Sequence, residues 1–228
     1  FVAQARFLKG KHVRQSIDSV VRSTNLNLAV SYPILNCIDS DKKSIFLPWA
    51  DEEFKPLLKA ANVRNKVLFW GYIDGRVDFD LVKYLALNCP DFVFEFVGPI
   101  TDKVKHIADA LEKSLLNVVF SGEQDLSEID LSQFFCSIIP YKSGVADITA
   151  VTASNKTFRL LSYGLPLVTF GMPHFIECSV VFKSSNYEEV FRHLNLVNSA
   201  IYELQCGLAE MVSQNSEDSR YRFLVDAI

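Results

Sequence analysis

Short runs that are almost continuously apolar punctuate the chain. They are "LNLAVSYPIL" (26–35), "SIFLPW" (44–49), "KVLFWGY" (66–72), "FVFEFVGPI" (92–100), "NVVFSG" (117–122), "CSIIPY" (136–141), "PLVTF" (166–170) and "SVVFK" (179–183). Strands apolar on both sides belong to a parallel sheet covered on both faces, so the pattern predicts strands in all eight. Between them the spacing turns helical. Phe79, Leu81, Val82, Leu85 and Ala86 form a stripe over 78–88, with Asp78 placed to cap it. Val104, Ile107, Ala108, Leu111 and Leu115 form another over 102–116. Shorter helices are expected over about 127–134 and over 152–163, and helix from about 186 nearly to the end, with a break in "SQNSED" (213–218).

Alternation of strand and helix implies right-handed crossovers, and therefore an α/β, Rossmann-like, doubly wound parallel sheet over about 62–185. The first fifty residues differ: an amphipathic stretch, a strand, and then the polar turn "DSDKK" as a boundary. No internal repeat or low-complexity tract occurs.

Composition narrows the function. Of 228 residues 49% are hydrophobic, enough for a sizeable core, and the net charge is only −4. Nucleic-acid binders carry a basic surplus on one face, so no nucleic-acid partner is expected. Arg6, Lys9, Lys11, Arg14 and Arg22 gather near the start, but acids lie close by, and the stretch reads as a solvated helix face. Five cysteines (Cys37, Cys89, Cys136, Cys178, Cys206) stand at wide spacings without a CxxC pair. That fits reduced thiols in a cytoplasmic protein and no metal site. His12, His106, His174 and His193 lack metal-ligand spacing. No apolar run reaches the roughly 18 residues a membrane span needs, and no secretory signal pattern is present. The chain begins at Phe1 rather than Met, which leads to the expectation that it is a piece of something longer.

Ligands of open parallel sheets bind beyond the carboxyl ends of the strands. Several strands end there in Gly or Pro: Gly71, Gly98–Pro99, Gly122 and Pro140. Each could simply make a tight turn; four on one edge point to a binding rim. The loop "GYIDGRVDFD" (71–80) has neither GxGxxG nor GK[ST] spacing, which excludes a dinucleotide fingerprint and a P-loop. It retains Gly71, Gly75 and Arg76 near a helix start, an arrangement suited to a diphosphate. Arg76 could equally pair with Asp74 or Asp78. Tyr141 and Lys142 follow the next strand, and Lys142 is either a second phosphate cation or a solvated lysine. The stretch "VADITAVTA" reads as a loop able to close over a ligand. In "ASNKTFRLLSYGLPLV" (153–168), Ser154 or Thr152 caps a helix whose Phe158 and Leu161 face the core, and Gly164 ends it. Asn155, Lys156, Thr157 and Arg159 occupy the first two turns, where free amides hold anions.

These residues also resemble a known family. "SNKTFRLLSYGLPLV" resembles the donor-site signature of GT-B glycosyltransferases of the group 1 type, in which a lysine-bearing helix start, an aromatic and an acid precede A-x-G-x-P-V-V. "KVLFWGYIDGRVDFDLVKYLALNCPDFVFEFVGPI" looks like the first βαβ unit of that family's C-terminal domain. "NVVFSG…LSEIDLSQFFCSIIPY" looks like its third and fourth strands, and "SIFLPWADEEF" is similar to the linker entering that domain. The resemblance covers about 40–185 and implies the C-terminal half of a GT-B fold with a remnant of the N-terminal domain. Its divisions would be 1–40 (end of the acceptor domain and linker), 41–185 (nucleotide-sugar-binding domain) and 186–228 (helices returning to the N-terminal domain).

By the same resemblance, Gly71, Tyr72, Gly75 and Arg76 would face the donor diphosphate, and the loop after Gly122 would approach the base. Tyr141 and Lys142 would line the cleft. Ser154, Asn155, Lys156 and Thr157 would present amides and a cation to the phosphates. Arg159 departs from the pattern, because the family carries Glu there to accept ribose hydroxyls and arginine only donates. Arg159 would then reach a phosphate or a donor-sugar carboxylate, with the ribose held by another acceptor, or else mark an altered donor site in a weak, inactive or regulatory copy.

The implied function is metal-independent transfer of a sugar, in polysaccharide or glycoconjugate synthesis. The donor would be a nucleotide-diphosphate sugar, and the acceptor a glycan or lipid-linked molecule. The donor is substrate, and no cofactor is expected. The setting would be the cytoplasm, with peripheral association at the inner face of the membrane. No catalytic base is named, since this family keeps it in the N-terminal domain, and the fragment alone is expected to turn over little or nothing. Two alternatives share these residues. One is a non-catalytic scaffold or binding protein on a nucleotide-sugar fold. The other is a GT-B-type epimerase, which needs carboxylates and a histidine in the cleft; of the four histidines only His174 lies near the rim.

Overall fold

In a computed structural model the chain is described over residues 11–50, 53–57 and 64–227. Arg6, Lys9 and the side chains of Lys11 and Arg14, counted above in the basic stretch, lie outside the described residues, as do Asp51 and Glu52 of the linker segment. The first part runs α1 (Lys11–Ser23), β1 (Asn27–Ala29), α2 (Tyr32–Asn36) and β2 (Lys43–Ile45). The main part runs β3 (Lys66–Trp70), α3 (Phe79–Asn88), β4 (Val93–Val97), α4 (Asp102–Ser114), β5 (Val118–Gly122) and β6 (Phe134–Pro140). It continues through α5 (Ala146–Thr149), α6 (Asn155–Ser162), β7 (Leu167–Phe170) and β8 (Val181–Ser184), then α7 (Tyr187–Ala200), α8 (Leu204–Gln214) and α9 (Glu217–Ala227).

Six strands form one wholly parallel sheet in the order β5-β4-β3-β6-β7-β8. Alternate residues serve opposite faces, as the strand period requires. Phe69, Phe96 and Ile138 turn to one face and pack with Leu85 of α3, Leu111 of α4 and Leu194 of α7. Leu68, Ile139 and Leu167 turn to the other and pack with Phe158 and Leu161 of α6 and Leu208 of α8. Each fully buried side chain of this kind is worth about 1.5–3 kcal/mol, so both faces must be covered for the sheet to persist. The expected α/β, Rossmann-like, doubly wound sheet is the fold observed.

The structure differs from the sequence reading in four local places, the simplest being the run 44–49, which is strand only through Ile45. The run 26–35 is not one strand, because α2 takes over at Tyr32. The Ser31 hydroxyl accepts from the Ile34 amide at 3.3 Å, and Pro33 falls in the first turn, where a missing N–H costs nothing. The helix expected over 127–134 is a pair of 3₁₀ turns, Leu126–Glu128 and Leu131–Gln133. Their caps, Asp125 and Asp130, accept from Ser127 and Ser132 two residues on, which favours tight turns over a continuous helix. Within "VADITAVTA", read as a loop, Ala146–Thr149 form the short α5.

Strands β1 and β2 make a separate parallel pair that runs across residue 40. It is tied to the main body from two sides. The Tyr32 amide donates to the buried Thr152 hydroxyl at 3.0 Å, and Arg220 of α9 donates to the Leu47 carbonyl at 3.0 Å. Phe46 packs on Phe223 of the same helix, with ring centroids 5.9 Å apart.

Candidate functional site: the carboxyl-edge crevice

The chain steps outward from β3 to β4 and β5, then returns to place β6 on the opposite side of β3. Loops leaving β3 and β6 therefore part, and a crevice opens at their carboxyl ends. The loop after β3 is laced in place on both sides. The Gly71 amide donates to Val97 O at 2.9 Å, Asp78 N to Pro140 O at 2.8 Å, and Lys142 N to Arg76 O at 2.8 Å. Gly98 has φ 147°, and a Cβ there would stand 2.0 Å from the Gly71 carbonyl oxygen. Only glycine lets these two strand ends cross so closely.

The first turn of α6 comes to the same edge. Ser154 and Thr157 close a capping box: Thr157 N donates to the Ser154 hydroxyl at 3.4 Å, and Ser154 N donates to the Thr157 hydroxyl at 3.2 Å. That fixes Lys156 over the end of β3. Its Nζ lies 4.5 Å from the Phe69 ring centroid and 5.7 Å from that of Tyr141. Among the described residues no carboxylate pairs with it. Burial, reinforced by the charge of Arg76, pushes the Lys156 pKa down to about 7. Arg76 itself is held by Asp74, with Nη2 to Oδ2 at 2.7 Å and Nε 2.9 Å from both oxygens, and it lies 5.5 Å from the Tyr141 centroid. Burial works against the Asp74 carboxylate, but its bonds to Arg76 outweigh this and hold its pKa below the usual value.

One turn along α6, Arg159 lies on the same helix face as Lys156. Its guanidinium stands 5.1 Å from the Trp70 ring and donates to Asp125 Oδ1 at 3.4 Å. Trp70 in turn donates its indole N–H to Gln124 O at 2.9 Å. Trp70, Gln124 and Asp125 were not among the sequence candidates. Among the described residues no group of three His, Cys, Asp or Glu is arranged to hold a metal, and no helix is long and apolar enough to cross a membrane.

The fold is shared with solved proteins. TarM matches over 95% of this chain and 46% of its own, at a TM-score of 0.68 and 15% identity. The lipopolysaccharide outer core galactosyltransferase WaaB, in its apo form, matches over 90% of this chain and 61% of its own, with a TM-score of 0.64 and 13% identity. HepE of Anabaena, solved with UDP, matches over 93% and 66%, with a TM-score of 0.60 and 16% identity. The fold is that of one half of a GT-B protein. No family model matches the chain. In sequence it is 30% identical over 110 residues to TuaH of Bacillus subtilis strain 168, described provisionally as a teichuronic acid biosynthesis glycosyltransferase. The match takes in 46% of this chain and only 26% of that protein. The chain thus spans about a quarter of TuaH and under half of TarM.

In this GT-B half the sequence candidates fall into three groups. Gly71, Arg76, Tyr141 and Lys156 converge on one another, as their ring and charge contacts record. Ser154 and Thr157 serve the helix start instead: Thr157 is fully buried, and its amide and hydroxyl are both engaged with Ser154. Asn155, at the first position of α6, is exposed. Tyr72, Gly75, Gly122 and Lys142 are exposed on the rim, and no side-chain contact within the described residues holds Lys142. Arg159 meets a carboxylate supplied by the chain itself, on a loop whose spacing to it in sequence is 34 residues. His174 is exposed, and within the described residues no hydrogen bond or ion pair joins a histidine to Arg76, Lys156 or Arg159.

Proposed function

We propose that this GT-B half holds the donor of a glycosyltransferase that moves a sugar from a nucleotide-diphosphate sugar to a glycan or lipid-linked acceptor. The observation that carries it is the Lys156 ammonium, half-buried over Phe69 and Tyr141, beside the first-turn amides of α6 and without a carboxylate partner among the described residues. A cation in that position gains most from an anionic ligand, and a diphosphate matches both the amides and the neighbouring Arg76. As the glycosidic bond to the donor breaks, negative charge grows on the leaving diphosphate. Lys156, Arg76, Lys142 and the helix amides would stabilise that charge, and such preorganised electrostatic stabilisation is the main source of rate enhancement expected for this kind of transfer.

The central segment 41–185 is the donor domain in this reading, with 1–40 and 186–228 belonging to the junction with a partner domain. Likeness to a teichuronic acid protein supports a polysaccharide product, and UDP in the HepE structure supports a uridine donor. Five free thiols support a cytoplasmic setting, and association with the inner membrane face is part of the proposal.

Calorimetric titration of the chain with UDP, GDP and their sugars tests this. At least one should bind, and Lys156→Ala should weaken it by more than tenfold. Absence of binding to every nucleotide would overturn the proposal in favour of a scaffold.

A further inference from the structure

Asp125 carries a carboxylate whose two oxygens are used very unequally. Oδ1 accepts three donors: Ser127 N at 2.9 Å, the Ser127 hydroxyl at 2.7 Å and Arg159 Nη2 at 3.4 Å. Among the described residues no donor reaches Oδ2, and the side chain is 48% exposed. The oxygen is open but the group is not loose. A capping box with Glu128 fixes the loop, and Arg159, braced on the Trp70 indole, fixes the carboxylate against it.

Other acids near the crevice do not offer this. Both Asp74 oxygens accept from Arg76. Both Asp78 oxygens accept from the Tyr187 hydroxyl at 3.0 Å, and Oδ1 also caps α3. Asp147, on α5, is felt by Arg76, on the Tyr141 side of the rim. On the Trp70 side, Asp125 Oδ2 is an open acceptor on a carboxylate whose other oxygen is held in place.

Position selects its ligand. Lys156 lies beside Gly71 and Arg159 beside Trp70, so two consecutive residues of one strand end are matched by two consecutive turns of one helix face. For a ligand laid along that helix face, an anion at Lys156 leaves its next covalent neighbour on the side of Trp70 and Asp125. In a nucleoside diphosphate that neighbour is the pentose, whose hydroxyls each bring a proton that needs an acceptor.

We infer that Asp125, positioned by Arg159, accepts a pentose hydroxyl of the nucleoside diphosphate through Oδ2. Arg159 then serves by orienting an acid rather than by being one. This rests on the donor-site reading above and adds the residue that distinguishes a nucleotide from a bare diphosphate.

The test compares UDP, 2′,3′-dideoxy-UDP and inorganic pyrophosphate on the full chain. The wild-type protein should prefer UDP to the dideoxy compound by about tenfold or more, the worth of one hydrogen bond to a charged acceptor. Asp125→Asn keeps Oδ1 as cap and replaces Oδ2 by a donor. It should bring UDP down to the dideoxy level and leave pyrophosphate unchanged. Arg159→Lys should lower the UDP preference only in part, because Ser127 still holds Oδ1. Equal wild-type binding of UDP and its dideoxy form, or an unaltered preference in Asp125→Asn, overturns the inference and leaves the donor site standing. Equal weakening of UDP and pyrophosphate in Asp125→Asn makes Asp125 a structural residue and also overturns it. If the wild-type chain binds neither UDP nor pyrophosphate, the donor-site reading falls and takes this inference with it.

Discussion

The Lys156 ammonium lies 4.5 Å above the Phe69 ring, and a Cβ on Gly71 would come within 3.2 Å of its nitrogen. The amine is thus lodged between strand end and helix start, in surroundings that penalise its charge. Its pKa of about 7 in the fold, against an ordinary 10.5, has two consequences of defined sign. The unfolded chain binds the proton more tightly between those values, so the burial penalty is complete below pH 7 and is relieved as pH rises toward 10.5. Wild-type stability should therefore rise relative to Lys156→Met between pH 7 and 9, and run parallel to it below pH 6.5. Chemical denaturation at four pH values measures this; parallel curves throughout would contradict it.

Nucleotide binding should run the other way. A diphosphate needs the protonated amine, so UDP affinity should fall as pH rises above about 7, by at most tenfold per unit for one proton. In Lys156→Met the affinity should be lower and the slope lost over the same range, as isothermal titration in buffers of different ionisation enthalpy would register.

Gly98 is the least replaceable residue of the rim. Alanine there would combine a φ of 147° with a Cβ 2.0 Å from the Gly71 carbonyl, and backbone cannot swing aside as a side-chain tip can. Gly98→Ala should cost roughly 3 kcal/mol, a Tm drop on the order of 10 °C for a chain of this size. Gly75→Ala, with nothing within 4 Å of the added Cβ and φ outside the left-handed region, should be nearly neutral. Thermal melts of the pair separate a required close approach from an ordinary loop glycine.

The contrast shows what the chain makes legible. Strands β3 to β8 were readable because each is apolar on both sides, a pattern that only a doubly covered parallel sheet explains. Lys156 and Arg76 were readable because each sits within a few residues of a helix start. Strand order was not, so the crevice between β3 and β6 could be placed on an edge but not at a point. Asp125 was missed although Asp125 and Glu128 have capping-box spacing, because Leu126, Ile129 and Leu131 also mimic a helical stripe. Its partnership with Arg159 joins loops far apart in sequence, and no local pattern encodes it. Arg159 itself stood out only as the wrong residue type for an acid's place.

Asp78 tests how far the loop after β3 depends on its anchor. Its carboxylate, in a residue only 8% exposed, caps α3 through Leu81 N at 3.1 Å and accepts the Tyr187 hydroxyl. Burial and the bond to Asp78 push that hydroxyl's pKa up to about 12. Asp78→Ala removes the cap and strands a phenol, for a loss of about 2–3 kcal/mol; Asp78→Asn keeps one acceptor and should cost about 1 kcal/mol. Tyr187→Phe, which leaves the cap intact, should also cost no more than about 1 kcal/mol. Denaturant midpoints of the three variants check the ordering.

Trp70 reports on the Arg159 cluster directly. The chain has two tryptophans, Trp49 and Trp70, and among the described residues only Trp70 lies under a guanidinium. Among the described residues, Arg159→Ala removes an ion pair and a cation–π contact, each worth about 1 kcal/mol or less. The emission of Trp70 should nonetheless change, because a fixed charge leaves the face of its ring. In a Trp49→Phe background, where Trp70 is the sole emitter, UDP should alter the fluorescence of the wild-type cluster. The response should be much weaker once Asp125→Asn has removed the acceptor beside it. A UDP response of equal size in both proteins would mean that the ligand perturbs Trp70 without engaging Asp125. With Trp49 retained, a response in Trp70→Phe equal to that of wild type would place the ligand away from this side of the crevice altogether.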